Sequence, residues 1–392
     1  MSKISREQLA AITDRERIEG ADIETLFDFF RHDDDLPAHA PDALCQIDPR
    51  DGAMVIYNSK RAKRPHDNTA ESSHNTGTDH GVEPEVSKDG GERCPVCQGN
   101  TTGAIDVAEL SEGFTFINKN LFPVLFPPER IKPEWLQEPL YPDPSHHGRA
   151  SYGMHFLQWT SSHHRRDWHN MALQDRVVVL QRLAALERTL LYDSEGYMPP
   201  SSQWRSQKET SGFVSIIKNY GAAVGGSLEH GHQQVAWSNI MPRSFYNNWS
   251  FFTRHRQFFS SYMINENPFD LEIKDYGRAV LMVPYFMKRP FNMMLFLKDV
   301  GKQYVCELDE DEIENVAEGI GDAISAIMEI MPRIGKETAY NMIVHNGPGA
   351  GLYYEFLPYT QETGGYEHLG MWICQGTPSQ TATELRRILE IR

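Results

Sequence analysis

In the stretch Asn219-Tyr220-Gly221-Ala222-Ala223-Val224-Gly225-Gly226-Ser227-Leu228-Glu229-His230-Gly231-His232-Gln233-Gln234, a glycine-rich turn runs straight into two histidines spaced i, i+2. Gln234 follows two residues after the second. Phe213 to Lys218 before it reads as a strand, which places the histidines on a second extended segment. On a strand, residues i and i+2 face the same side, so His230, His232 and Gln234 are expected to line one wall of a site. Backbone amides of the glycine turn would cradle an anion beside them. This is equipment for chemistry at phosphorus with an imidazole nucleophile, although His-x-His is also common in metal sites and on ordinary strands.

A second signal is Cys94-Pro95-Val96-Cys97, in a chain whose other cysteines, Cys45, Cys306 and Cys374, stand alone. Five scattered cysteines argue against a disulfide framework. A redox pair would open a helix, which Gln98-Gly99-Asn100-Thr101-Thr102-Gly103 does not continue. Half of a zinc site is the better reading, and a tetrahedral site then requires two histidines from elsewhere.

The 392 residues provide for two or three domain-sized units with ample core. A formal charge of −16 disfavours nucleic acid or an anionic membrane as partner. No apolar run is long enough to span a bilayer, and the chain reads as a cytoplasmic protein.

Residues 1–44 form a polar N-terminal appendage with helical character. Gln46 to Tyr57 reads as a hairpin around Asp51-Gly52. Residues 66–92 are nearly devoid of large apolar side chains and read as a mobile loop. Strands are expected at Phe114 to Asn118 and Tyr152 to Thr160, and a helix at Met171 to Tyr192, where Val177, Leu180, Leu183, Leu186 and Leu190 recur at helical spacing. A second set follows: strands at Arg278 to Pro284 and Phe291 to Lys298, a helix at Glu310 to Met331, and strands at Tyr340 to Asn346 and Gly351 to Pro358. The order strand–helix–strand–strand thus occurs twice without a strict repeat.

Several ordered motifs resemble the galactose-1-phosphate uridylyltransferase family of the histidine-triad superfamily, including its ADP-sugar phosphorylase relatives. They are Asp48-Pro49-Arg50 with Arg61-Ala62-Lys63-Arg64-Pro65, Cys94-Pro95-Val96-Cys97, Asn120-Leu121-Phe122-Pro123, Ser162-His163-His164, the His230/His232/Gln234 block, Val283-Pro284-Tyr285 with Arg289-Pro290-Phe291, and Gly365-Tyr366-Glu367. The resemblance implies an α+β fold of two histidine-triad-like halves, 45–240 and 241–392, each an antiparallel sheet with flanking helices. It implies one closed structural zinc site of Cys94, Cys97, His164 and His230, with His164 preferred over His163, and no organic cofactor. It implies His232 as nucleophile on the α-phosphorus of a nucleotide sugar, its far nitrogen held by the His230 carbonyl, with Gln234 and Ser227 assisting. Arg61 and Arg64 would meet phosphate charge. Asn120, Phe122, Asn219, Gly225, Gly226, Tyr366 and Glu367 complete the expected substrate contacts.

The implied activity is nucleotidyl transfer from a nucleotide sugar to a sugar 1-phosphate. Inorganic phosphate is the alternative acceptor, as in a phosphorylase, and water the acceptor in a histidine-triad-like hydrolase. Family members are commonly homodimers. Three departures stand out. Asn248 and Tyr353-Tyr354-Glu355 replace the residues of a second metal site, so only one metal is expected. Leu121 stands where uridylyltransferases carry an acidic residue, and Ile373 where they carry a hexose-contacting glutamine.

Overall fold

The computed structural model describes residues 2–41, 44–48, 50–63, 94–127, 149–191 and 212–390. The expected 66–92 loop, Arg64 and Tyr192 lie outside them. Three short helices, α1 (Arg6–Ile12), α2 (Ile23–Arg31) and α3 (Leu36–His39), precede the hairpin of β1 (Leu44–Ile47) and β2 (Met54–Ile56). The hairpin pairs Gln46 with Val55, and Gly52 at φ 77° makes the turn that Asp51-Gly52 predicts.

A ten-stranded antiparallel sheet follows. Its first half is β3 (Ala104–Glu109), β4 (Phe114–Lys119), β6 (Gly153–Trp159), β7 (Phe213–Tyr220) and β8 (His232–Ser238); β5 (Arg149–Ala150) pairs instead with β1. Its second half is β9 (Glu272–Asp275), β10 (Ala279–Met282), β11 (Met293–Leu297), β12 (Tyr340–His345) and β13 (Tyr353–Pro358). From one edge the order is β3-β4-β6-β8-β7, then β12-β13-β11-β10-β9. Read inward from either edge, both halves place their fifth strand between the third and the fourth. Each half also inserts a long helix after its third strand, α4 (Leu173–Leu191) in the first and α7 (Glu310–Arg333) in the second. Among the described residues the ten-stranded sheet is therefore one topological unit used twice.

The two halves meet at β7 and β12, where Asn219 pairs with Asn341. The Asn341 amide donates to Asn219 Oδ1 at 2.8 Å, and Tyr220 stacks on Tyr340 with ring centroids 5.3 Å apart. Helices α4 and α7 pack on each other over the sheet. Between the halves lie α5 (Arg243–His255) and α6 (Phe259–Glu266), and the chain continues through α8 (Gly365–His368) and α9 (Pro378–Glu390).

The N-terminal helices belong to the main core. Leu26, Phe27 and Phe30 of α2 are fully buried there, with Phe27 edge-on to Trp237 and Phe30 edge-on to Phe156. Their i, i+1, i+4 spacing gives α2 an apolar stripe, which the polar composition of the segment hides. The buried Lys119 ammonium ties the segment to β4 through Asp14 at 3.2 Å and Asp33 at 2.6 Å. Among the described residues no helix is long and apolar enough to cross a membrane.

One buried carboxylate links the halves. Glu187 of α4 accepts from the Cys306 amide at 2.8 Å and from the Asn346 side chain. Burial pushes it up to about 7 from its ordinary 4.5. The folded state then holds a proton that the unfolded chain releases, so stability falls as pH rises from about 4.5 to 7. Glu187→Gln is expected to remove this slope, worth up to ~3 kcal/mol. Melting curves across pH 5–8 check it, and parallel curves for the two proteins would contradict it.

Candidate active site and metal centre

The glycine turn closes on itself. Gly225 sits at φ 84°, where only glycine is unstrained, and its amide donates to Ala222 O at 3.1 Å. The Gly226 amide donates to Gly221 O at 3.0 Å. Neither glycine lines the cavity beside His232, so the expected anion cradle does not form from these amides. Asn219 does not line it either, because its side chain serves the joint with β12. Ser227, just after the turn, does reach the cavity.

The two histidines also separate. Strand β8 begins at His232, and His230 precedes it, so the expectation that both share a wall is corrected. Gly231 between them leaves no room for a side chain: a Cβ there would lie 2.6 Å from both Asp167 and Thr160. His230 turns its Nδ1 to Cys97 Sγ at 3.5 Å and Cys94 Sγ at 3.7 Å. Its Nε2–H donates to Ser161 O at 2.7 Å. His164 places Nδ1 3.6 Å from Cys97 Sγ. All four ligand atoms are buried and lie within 4.8 Å of one another. His163 stands outside the cluster, half-exposed.

The spacing fits a metal ion. Tetrahedral bonds of about 2.0–2.3 Å separate nitrogen and sulfur ligands by about 3.6 Å, close to the distances found. The charges agree as well. The hydrogen bond between the thiols pulls Cys97 down and pushes Cys94 up, and a bound cation would let both ligate as thiolates. One metal ion could satisfy both, and four protein ligands would leave it no open position.

His232 and Gln234 face a cavity of about 180 Å³ with Arg61, Asn120, Phe122 and Ser227. His232 is buried, and its Nδ1–H donates to the carbonyl of His230 at 2.8 Å. The imidazole is thereby held as the tautomer with a bare Nε2. Burial, assisted by the nearby Lys218 charge, lowers it to about 4. Lys218, also buried, donates to His232 O at 3.0 Å and pairs with Asp167 at 2.7 Å. Trp159 lies against the His232 ring, centroids 4.8 Å apart. On the opposite face of β8, Gln233 accepts from Trp168 Nε1 at 3.0 Å and donates to Gln158. Strand β8 is thus pinned from both sides, which fixes where His232 points.

Arg61 lines the cavity and bonds to the Phe122 carbonyl. Asn120 and Phe122 line it too, with the Phe122 amide donating to Asn120 Oδ1 at 2.9 Å. Leu121 sits between this cavity and a larger one of about 1010 Å³, whose rim carries Asp28, Asp33 and Asp34. Even with Lys119 paired to Asp14 and Asp33 there, that rim is net acidic, so an anionic group is best placed on the Arg61 side. Tyr366 and Glu367 are not brought to the cavity. Tyr366 is 61 % exposed, and Glu367 accepts from the Gly364 and Ile373 amides at 2.7 and 3.2 Å.

Around the departed second-half motif, Glu355 accepts from His345 Nε2 at 3.0 Å and the Tyr353 hydroxyl donates to Asn248 at 3.1 Å. Burial works to raise Glu355, but the His345 contact outweighs it and holds the carboxylate low. Residues missed from sequence include Lys218, Asp167, Gln233 and His345. Each is a polar residue in an apolar strand or loop context, and that alone does not announce a partner.

The doubled strand order defines an α+β fold of two halves with the same strand topology, and a bare-nitrogen histidine opens the fifth strand of the first half. The chain is similar to a solved uridylyltransferase structure at 17% identity and a TM-score of 0.62, covering 89% of this chain and 99% of that one. It is similar to an ADP-glucose phosphorylase from Arabidopsis thaliana with bound ADP-glucose, at 16% identity and a TM-score of 0.57, covering 87% and 98%. A GALT-like protein from the same plant matches at 16% identity and a TM-score of 0.53 over 69% and 83%. No family model and no curated protein matches the sequence. At these identities the likeness establishes the fold.

Proposed function

We propose that the chain is a nucleotidyltransferase of the galactose-1-phosphate uridylyltransferase type, working through a covalent nucleotidyl-His232. The observation that carries this is the His232 imidazole, held through Nδ1 so that a neutral Nε2 faces a cavity with Arg61, Ser227 and Gln234. Nε2 attacks the α-phosphorus of a nucleotide sugar as the bond to the β-phosphate oxygen breaks and sugar 1-phosphate leaves with the electron pair. Arg61 offsets phosphate charge, while the Ser227 hydroxyl and Gln234 amide donate to the non-bridging oxygens as charge builds. An acceptor oxygen then forms its bond to phosphorus as the Nε2–P bond breaks.

Among the described residues lining the cavity there is no carboxylate. Water would need a base to take its proton, whereas a phosphate oxygen arrives as an anion. This favours sugar 1-phosphate, or inorganic phosphate, over hydrolysis. The buried Cys94, Cys97, His164 and His230 would hold one zinc, whose role is to fix the His230 carbonyl that orients His232. In this reading the exposed segment with Leu369, Met371, Trp372 and Ile373 is covered in a homodimer, and Tyr366 and Glu367 contact sugar only in that assembly.

The test is incubation with nucleotide sugars labelled in the nucleotide, scoring acid-labile label on the protein and its discharge to sugar 1-phosphate, phosphate or water. Absence of label with every donor would end this reading. Leu121 adds apolar surface worth roughly 1–3 kcal/mol if covered and no polar partner for uracil. ADP- or GDP-glucose is therefore expected to match or exceed UDP-glucose in kcat/KM. A hundredfold preference for UDP-glucose would reverse that expectation.

A further inference from the structure

Strand β6 carries a second buried histidine on the cavity side of the sheet. His155 lies two residues from Leu157, which pairs with Gln234, and four from Trp159, which pairs with His232. It is 2 % exposed, and it makes contacts that fix its tautomer. The Val124 amide donates to His155 Nδ1 at 3.1 Å. A backbone amide is an obligate donor, so Nδ1 is bare and the ring proton sits on Nε2. That Nε2 lies 3.1 Å from Gln234 Oε1, where the N–H donates to the amide oxygen. With its oxygen so occupied, Gln234 turns its NH₂ group, a pure donor, away from His155. The Asn120 side chain turns the opposite way: its Oδ1 accepts from the Phe122 amide at 2.9 Å and its NH₂ faces the His155 ring, 3.3 Å from Nδ1 and 3.4 Å from Nε2.

We infer that His155 is a positioning residue, which by its Nε2–H tautomer holds the Gln234 amide with its donor side toward the reacting phosphoryl group. The inference rests on the nucleotidyl-transfer reading for the phosphoryl group, but the orientation stands on the hydrogen bonds alone. Two histidines on this side of the sheet, one lining the cavity and one behind Gln234, then have opposite duties. His232 carries its proton on Nδ1 and presents a bare Nε2 as nucleophile, while His155 carries its proton on Nε2 and presents a donor. An inverted Gln234 would aim a carbonyl oxygen at a phosphate oxygen and repel it. Burial, with the Arg61 charge adding to it, lowers His155 to about 3, in keeping with a ring that stays neutral.

The test has two arms. In the full-length protein with ¹⁵N-labelled histidine, long-range ¹H–¹⁵N spectra assigned with H155Q and H232A are expected to show His155 as the Nε2–H tautomer and His232 as the Nδ1–H tautomer at pH 7. A cationic His155, or one protonated on Nδ1, overturns the inference whether or not the protein has transferase activity. In the second arm, adduct formation is followed in H155F, Q234A and the double variant. H155F and Q234A are each expected to lower the rate of adduct formation by about 10²-fold, the typical effect of losing one transition-state donor, with donor KM within about threefold. The double variant is expected to be no slower than Q234A, because His155 acts through Gln234. H155Q retains an N–H donor at that point and is expected to recover part of the rate. Additive losses, or a loss confined to KM, would overturn the role. If wild type takes up no label from any donor, the transferase reading fails and the spectra still decide the orientation.

Discussion

His232→Ala is expected to abolish the covalent nucleotide and lower turnover by at least about 10⁴-fold, while metal content, folding and the melting temperature stay near those of the native protein. The size follows from the kind of group removed. Loss of the nucleophile removes the two-step route altogether, and what remains is binding and transition-state donation by Arg61, Ser227 and Gln234. The small structural effect follows from where the side chain sits. The His232 imidazole bonds only to the His230 carbonyl among the polar contacts described, and strand β8 keeps its pairing with β6 and β7 without it. The measurement is label on the protein together with elemental analysis of the same sample. Retained label in His232→Ala would place the adduct on another residue and sink the mechanism.

His230→Ala lies two residues away and is expected to behave in the opposite way, losing metal, stability and turnover together. His230 is one of four buried ligands, and around the cluster pack Ile4 and Leu9 of the N-terminal segment with Val96, Phe114, Phe116 and Trp159. Binding of a structural zinc contributes folding free energy directly, about 10–16 kcal/mol in small zinc modules. Even ~5 kcal/mol lost is a large part of ordinary protein stability and would lower the melting temperature by about 10 °C or more. Turnover falls because the carbonyl that fixes the His232 tautomer belongs to His230. Native protein is expected to contain about one zinc per chain. A chelated protein that keeps its melting temperature, or a preparation with two tightly bound metals, would refute the one-structural-zinc reading.

Some features were legible because they depend on near neighbours in the chain. The hairpin followed from Asp51-Gly52 between alternating strands. Helices α4 and α7 followed from apolar periodicity: α4 starts two residues after the expected Met171, and α7 runs from the expected Glu310 to two residues beyond Met331. The cysteine pair was visible because two soft ligands at that spacing have few other uses. In the sequence the N-terminal helices look like an appendage, since composition averages over a segment and hides a narrow apolar stripe. The packing of Phe27 on Trp237 is a contact across more than two hundred residues, beyond the reach of any local pattern.

By itself the sequence determined which chemistry the chain could hold: thiols and imidazoles for a metal, a histidine nucleophile, an arginine for phosphate, and two sets of strands around a long helix. Only the tertiary structure decided which way each group faces. It sent His230 to the cysteines and His232 to the cavity, turned the amides of Gly225 and Gly226 inward, gave Asn219 to the joint between halves, and set His155 behind Gln234. The physical reason is that direction comes from pairing. A ring's tautomer, an amide's rotation and a glycine's φ are each settled by the hydrogen-bond partner that the sheet brings alongside, and those partners come from strands far apart in the chain.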